Sequence, residues 1–450
     1  MPSDVASAPV LNPHRRIWAV AGPAIASNTS GALVGVVDTW AIGHLPSPLF
    51  LAAVAIGAFI FHFVYWGLGF LRMGTTGLVA QAHGARDEAR LLRITLRAIA
   101  LGLVFGALVL ALQRPLLAGS FLFFQPTAEQ APLVDLYYSI RIWAVPAMLI
   151  KLGIVGMLIG TQRATIVLGI ELILSVSNAG LTILFVVGFG WEIRGVASAS
   201  LIAEWLAAVV ALVIAARLLG AGPLLAAARD RAFWRLSAFR GMLAVNAFIF
   251  VRTLLLLAAF AIFLKVGGSL SPVILAANHV LMNFITLAAL GLDGVAFAAE
   301  ALVGEAKGEG NRRLFARWVR LTNFWAVGLS VGYALAYWLL GAEIVNAFTD
   351  LPEVRAAAGP QLLWFAAIPV IAVWSYQYDG IFIGATWTRE MLWTMAIAFT
   401  AYLIALKFAV PAWGNAGLWA SFTIFLATRG LAQAVWYPFL ERQIARPASA

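Results

Sequence analysis

The sequence predicts an all-α polytopic membrane protein with twelve transmembrane helices in two pseudo-symmetric six-helix lobes. Long apolar runs, an alternation of arginine-rich and arginine-poor connections, and an internal repeat over half the chain carry that prediction. Hydrophobic residues make up 62% of the chain and charged residues only 11%, with a mean hydropathy of +0.92. A soluble domain carries about 25% charged residues, so the surface that solubility requires is missing. The apolar runs continue for about 20 residues or more, where a membrane barrel would alternate over about 10, and this selects helices.

Residues 1–16 are polar and end at Arg15-Arg16, which reads as a cytoplasmic tail. Spans follow at 17–43, 49–80, 94–113, 133–159, 165–190, 195–217, 239–266, 272–304, 318–345, 358–385, 391–410 and 415–438. The first run is too long for a cleaved signal peptide and reads as a retained span. Prolines mark turns at Leu45-Pro46-Ser47-Pro48 and Ser271-Pro272. The resulting organisation is a first lobe over 17–219, a linker over 220–240, a second lobe over 241–440 and a tail over 441–450. In the linker, Arg229, Asp230, Arg231 and Arg235 stand beside Phe233, Trp234, Leu236 and Phe239. That mixture suits an amphipathic helix lying in the membrane interface as a hinge or tether.

Basic residues set the orientation. Arg15, Arg16, Arg86, Arg90, Arg93, Arg163, Arg217, Arg229, Lys307, Arg312, Arg389 and Arg442 fall in one set of connections, whereas the other set holds only Arg114, Arg194, Lys265, Arg355 and Lys407. Both termini are therefore expected in the cytoplasm, with the protein in the inner (plasma) membrane. The net charge of +10 is a topology signal and calls for no nucleic-acid partner. The chain has no cysteine, which excludes disulfides and thiol catalysis.

The repeat has one offset. Leu51-Ala52-Ala53 matches Leu275-Ala276-Ala277, the segment 77–84 matches 301–308, and Gly156-Met157-Leu158-Ile159-Gly160 matches Gly380-Ile381-Phe382-Ile383-Gly384, each 224 residues apart. A duplicated unit of six spans gives two copies of equal orientation, related by an axis along the membrane normal, around a central cavity.

Within this scaffold a few polar residues stand out. Asp38 lies about 30 Å along the first span, toward the outer leaflet. An ionised carboxylate at membrane depth costs roughly 3 kcal/mol on insertion scales, which marks it as a functional candidate. Pro23 removes a backbone hydrogen bond from the same helix and gives it a place to bend. Asn178 and Thr182 share one face of the fifth span and can line a wet cavity or bond a carboxylate. In the second half, Arg252, Asp293, Glu300, Tyr376 and Asp379 lie at membrane depth, and Arg252 is expected to pair with Asp293 or Asp379. Glu171, Glu204, Arg72 and Arg429 are embedded without an assigned partner. His44, His62 and His279 are scattered over separate spans, so no metal site is expected. No ATP-binding or hydrolase motif occurs, and neither an enzyme nor a cofactor is expected. Met73, Met148, Met157 and Met282 are candidates for a cavity wall that accepts varied apolar cations.

Several segments together resemble the multidrug and toxic compound extrusion (MATE) family, in its DinF-like branch. They are Val37-Asp38-Thr39 with Ile42-Gly43-His44-Leu45, Leu51-Ala52-Ala53-Val54, the run 70–77 with Gln81, Arg141-Ile142-Trp143-Ala144 with Pro146, and the run 379–386. The likeness extends from about residue 15 to 440. It implies an antiporter that alternates between outward and inward openings, exporting small-molecule drugs or toxic organic cations in exchange for H⁺ or Na⁺. It also implies that Asp38 is the proton-sensitive or cation-binding group and that Pro23 lets the first helix bend. The branch often has Asn and Asp four residues apart in the fifth helix, where this chain has Asn178 and Thr182. The sodium-associated branch carries a glutamate near Arg252, and its tenth-helix aspartate is matched by Asp379.

The expected function is thus export of organic, mostly cationic amphipathic compounds by a proton-coupled monomer, in which protonation of Asp38 and occupation by cargo exclude each other. A Na⁺-coupled exporter and a flippase for lipid or lipid-linked precursors are the alternatives. A flippase would need several basic residues for a phosphate, and the first lobe offers an acid instead.

Overall fold

The computed structural model describes residues 12–43 and 47–444, and among them the chain is helical with no strand. In order, the helices are α1 (Pro13–Gly43), α2 (Pro48–Leu68), α3 (Phe70–Gly84), α4 (Glu88–Ala111), α5 (Gln113–Phe124), α6 (Gln130–Arg141), α7 (Val145–Gly160) and α8 (Ala164–Thr182). They continue with α9 (Glu192–Leu219), α10 (Ala221–Arg229), α11 (Leu236–Leu270), α12 (Pro272–Gly308), α13 (Arg312–Phe348), α14 (Pro352–Ala358), α15 (Leu362–Gly384) and α16 (Thr388–Glu441). A π-helical stretch, Ile183–Gly188, extends α8.

Among the described residues, ten stretches are long and apolar enough to cross a membrane. The 31-residue α1 is an eleventh crossing. The 54-residue α16 supplies the twelfth by reversing at Gly414, where φ is 55°. That reversal brings Gly417 against Ala409: a Cβ on Gly417 would lie 2.0 Å from the Ala409 carbonyl oxygen. Eight residues along a straight helix would separate them by about 12 Å.

The 224-residue offset is visible in the backbone. Ser47 and Ser271 cap α2 and α12, accepting from the N–H of Leu49 at 3.3 Å and of Ile274 at 3.0 Å, with Pro48 and Pro272 in the first helical position. Asp87 and Asn311 cap α4 and α13 in the same way, on Arg90 and Leu314. Positive φ angles recur in pairs at Arg86 and Gly310, Gln162 and Thr386, and Gly190 and Gly414. Inside each lobe, a Cβ on Gly156 would meet the Arg72 carbonyl oxygen at 2.7 Å, and one on Gly380 would meet that of Ala296 at 2.6 Å. These pairs show that the repeated glycines serve one job, letting α7 lie on α3 and α15 lie on α12 at backbone contact.

The lobes meet along α3 and α12. A Cβ on Gly84 would sit 2.0 Å from the Glu305 carbonyl oxygen, and one on Gly308 would sit 2.0 Å from that of Gln81. The contact is reciprocal because the pseudo-twofold axis passes between the two helices. α1 packs on both α8 and α12 and so touches both lobes. The end of the bundle where α1 begins carries most of the arginines and is called the basic end below.

Several expectations need correction. Helices run a few residues past the expected spans at most ends, and α5 is a short helix where only a connection was expected. The linker is not one amphipathic helix: α10 stops at Arg229, and Phe233 is buried in the turn that follows. The expectation that α1 can bend at Pro23 is not among them: the helix runs on through Pro23 in this state. Met148 is buried in the helix core, whereas Met157, also buried, borders a cavity at the basic end. The contacts of His44 and the first half of the turn at Leu45-Pro46-Ser47-Pro48 lie outside the described residues, as do 1–11 and 445–450.

Candidate functional site

Asp38 projects from the half of α1 away from the basic end and is buried, with 7% of its surface exposed. Thr182, on the last turn of α8, donates its hydroxyl to Asp38 Oδ1 at 3.0 Å. One turn back on the same face, Asn178 donates to Ser200 Oγ of α9 at 3.0 Å, while its own Oδ1 is buried without a hydrogen-bond partner. Ser200 also accepts from Arg141 at 3.2 Å. The Arg141 guanidinium donates to the Tyr137 hydroxyl and lies over the rings of Phe61 and Tyr137, 5.3 and 5.6 Å from their centroids. Arg141 is within electrostatic reach of Asp38, yet no ion pair joins Asp38 to a cation among the described residues. The aromatic and hydroxyl groups that hold Arg141 keep its charge near the carboxylate without locking the two together.

Toward the basic end the same interior contains a second cluster. Lys151 of α7, 4% exposed, lies 3.3 Å from Glu171 Oε1 of α8 and 3.3 Å from Glu204 Oε2 of α9. The first-lobe interior thus gathers three carboxylates, Asp38, Glu171 and Glu204, around two cations, Arg141 and Lys151.

The second lobe is organised differently. Arg252 of α11 and Arg429 of α16 both donate to Asp379 Oδ2 of α15, and Gln433 donates to Oδ1 at 2.7 Å. Of the two partners expected for Arg252, the structure selects Asp379. Tyr376 faces the Arg429 guanidinium, its ring centroid 5.8 Å away. Glu300 takes a two-pronged bond from Arg72 at 2.9 and 3.3 Å across the lobe boundary. Asp293 has no ion pair among the described residues but lies within electrostatic reach of Arg72, Arg252, Arg429 and Glu300. Three cations and three carboxylates therefore balance. A buried carboxylate fixed by two guanidiniums is fully committed, and stripping it of either cation would leave an uncompensated charge.

At the basic end the lobes are tied together. Arg16 donates to both oxygens of Glu305, at 2.6 and 2.8 Å, and to Gln162 at 2.9 Å; Gln162 in turn donates to Glu305 at 2.8 Å. Gln81 bonds the Gly384 carbonyl at 2.9 Å and Thr386 at 3.0 Å. These bonds close the bundle there. A cavity of about 610 Å³ at that end, lined by His83, Arg93, Met157, Arg163, Pro223 and Phe233 among others, borders Met157 but none of the residues of the ion-pair clusters.

Among the described residues no group of three His, Cys, Asp or Glu is placed to hold a metal ion. His62 and His279 are exposed, and His62 lies beside Trp66. The roles of Arg141 and Lys151 were missed in the sequence, although a signal existed: both are cations inside the apolar span 133–159, and such a charge demands a partner. Glu171, Glu204, Arg72 and Arg429 acquire the partners that the sequence left unassigned.

A two-lobed, twelve-span helical transporter is the class of protein that this fold and interior define. The chain belongs to the MatE family, whose model matches residues 23–184 and 248–410, one segment in each lobe. It is 36% identical over 438 residues to the DNA damage-inducible protein F of Escherichia coli (strain K12), covering 94% of this chain and 92% of that protein. It is 27% identical to the probable multidrug resistance protein NorM of Rhizobium meliloti (strain 1021), covering 91% and 90% of the two chains. Among solved structures, an outward-facing multidrug resistance MATE family transporter of the MOP superfamily superposes with a TM-score of 0.82 at 18% identity, covering 96% of this chain and 97% of the other. The chain is accordingly a membrane transporter of the MATE family, in its DinF-like branch, and not an enzyme.

Proposed function

We propose that this chain is a proton-coupled antiporter that exports organic, mostly cationic amphipathic compounds, with Asp38 as the coupling group. One observation carries the reading: among the described residues Asp38 is a buried carboxylate outside any ion pair, in a first-lobe interior where three carboxylates face two cations. At membrane depth that charge needs a counter-charge, and either a proton or a cationic substrate provides it. The two then compete for one position, which is the condition for exchange. A proton entering from outside neutralises Asp38, removes the attraction for the cation, and lets α1 bend at Pro23. Cargo leaves as the proton arrives. Each charge moved down 100 mV supplies about 2.3 kcal/mol, roughly a fiftyfold concentration ratio.

The basic end is the cytoplasmic face in this reading, since arginine and lysine collect there. The lobes 17–219 and 241–440 then move as units about the linker 220–240. The bonds from Arg16 and Gln162 to Glu305 shut the cytoplasmic side, so cargo would leave toward the outside from this state.

Na⁺ is a second reading for the coupling ion. The Asp38 carboxylate, the Thr182 and Ser200 hydroxyls and the unpartnered Asn178 Oδ1 are the hard oxygens such an ion takes. Efflux of a fluorescent cation from vesicles separates the cases. Transport driven by a pH gradient and lost in Asp38→Asn supports the proton; transport driven only by a sodium gradient supports Na⁺. Undiminished pH-driven efflux by Asp38→Asn removes Asp38 from the mechanism.

A further inference from the structure

The cavity of about 610 Å³ at the basic end takes no part in the transport reading, and its walls have a chemistry of their own. It lies where α3, α4, α7 and α9 reach that end of the bundle, with α10 as one wall. Gly220, at φ 82°, turns the chain out of α9. Pro223, Ala226 and Ala227 then form one face of α10 along the cavity, and their short side chains leave the space open. A space of this size falls in the range of small-molecule sites, about 300–1,000 Å³.

The charged part of the wall is unbalanced. Arg93 and Arg163 line the cavity, and Arg97, one turn along α4 from Arg93, lies over the ring of the cavity's Phe233, 5.2 Å from its centroid. Among the described residues none of these three arginines forms an ion pair with a carboxylate. Arg97 Nε is buried without a hydrogen-bond partner, and Arg93 and Arg97 lie within electrostatic reach of each other. Two acids border the cavity and neither relieves the arginines. Asp230 accepts from the Ala232 N–H at 2.8 Å, and Glu88 is exposed in the first turn of α4. Arg93 also stands near the N-terminus of α4, whose dipole favours a negative charge. The site therefore attracts an anion and repels a cationic cargo.

The remainder of the wall is apolar, with Leu91, Met157 and Leu219 among its residues. Leu218, also in the wall, and Leu225 of α10 are 37% and 57% exposed, so the apolar surface continues outward from the cavity. A free phosphate would leave that surface unused. A phospholipid uses both parts, and basic pockets between helices at this face of a membrane suit anionic headgroups.

We propose that this cavity binds an anionic phospholipid of the adjoining leaflet, its phosphate on Arg93, Arg97 and Arg163 and part of an acyl chain along Leu91, Met157 and Leu219. The inference is independent of the role given to Asp38.

Native mass spectrometry of the delipidated, detergent-solubilised protein, titrated with dioleoylphosphatidylglycerol, measures the affinity. Arg93→Gln with Arg163→Gln should weaken binding about tenfold or more, since each basic residue near an anionic lipid contributes about fivefold. Ala226→Phe fills the cavity from α10 without changing a charge, and it should weaken binding by a similar factor. Arg313→Gln with Arg317→Gln removes two exposed arginines of the basic end outside the cavity, and it should leave the affinity within about twofold. Unchanged affinity in the Arg93/Arg163 variant or in Ala226→Phe overturns the proposal. An equal loss in the Arg313/Arg317 variant also overturns it, because general surface charge then holds the lipid. Dioleoylphosphatidylcholine binding as tightly shows that the headgroup charge is not read, and glycerol 3-phosphate binding as tightly shows that the occupant is a soluble phosphate. Either result overturns the assignment to an anionic lipid.

Discussion

Thr182 donates its hydroxyl to Asp38 at 3.0 Å, joining α8 to α1 at the point where the first lobe holds its uncommitted carboxylate. The bond orients Asp38 and gives it a direct polar contact from a neighbouring helix. A hydrogen bond to a charged group contributes about 1.5–3 kcal/mol, so losing it costs roughly tenfold or more. Thr182→Val should reduce pH-driven efflux by about that factor, and Thr182→Ser, which keeps the hydroxyl, should retain most of it. Initial rates of dye efflux from vesicles check both.

The closure at the basic end can be opened by one atom change. Glu305 accepts from Arg16 and from Gln162, and Glu305→Gln removes the charge that makes these bonds strong. The population open at this end should rise about tenfold. Because the chain has no cysteine, spin labels at Arg90→Cys and Arg313→Cys can be introduced without further substitution. Glu305→Gln should add a longer component to their distance distribution; an unchanged distribution shows that the network does not hold the lobes.

Asp379 should behave as a structural residue. Asp379→Asn leaves Arg252 and Arg429 facing each other in a buried site, a loss of about 3–5 kcal/mol. Removing Arg252 as well, in Asp379→Asn with Arg252→Met, should recover at least half of it. Thermal unfolding of the detergent-solubilised protein measures the difference. Recovery of none of it would mean that the two residues do not act as a pair.

The helix contacts of the two lobes should have equal sensitivity. A methyl at Gly156 or Gly380 meets a backbone oxygen at under 3 Å and cannot be accommodated by a side-chain shift. Each Gly→Ala change should destabilise by about 1–3 kcal/mol. Gly169→Ala is the control, with nothing within 4 Å of the added carbon, and helix propensity should make it neutral or slightly stabilising. Melting temperatures compared across the three variants decide the point.

The two halves were legible as repeats because the residues that make a backbone approach possible cannot be replaced. Gly156 and Gly380, Gly84 and Gly308, and the caps Ser47 and Ser271 recur at one offset because each occupies a position where bulk or a missing acceptor would break the helix packing. The candidate site was legible only in part. Asp38 and Thr182 stand out as polar residues in apolar spans, but their meeting depends on how α1 leans on α8. Arg252 could have paired with Asp293 or Asp379, since all three lie at similar depth and pattern alone does not rank them.

By itself the sequence determined the solvent of this protein, the number of crossings and the twofold plan, because hydrophobic length and repeated contact residues are local properties that the membrane and the backbone read directly. Only the tertiary structure decided which charges satisfy one another. Ion pairing depends on distances between side chains of different helices, such as Lys151 between Glu171 and Glu204, or Asp379 between Arg252 and Arg429. Those distances follow from the packing of the whole bundle, and with them which carboxylates stand outside an ion pair.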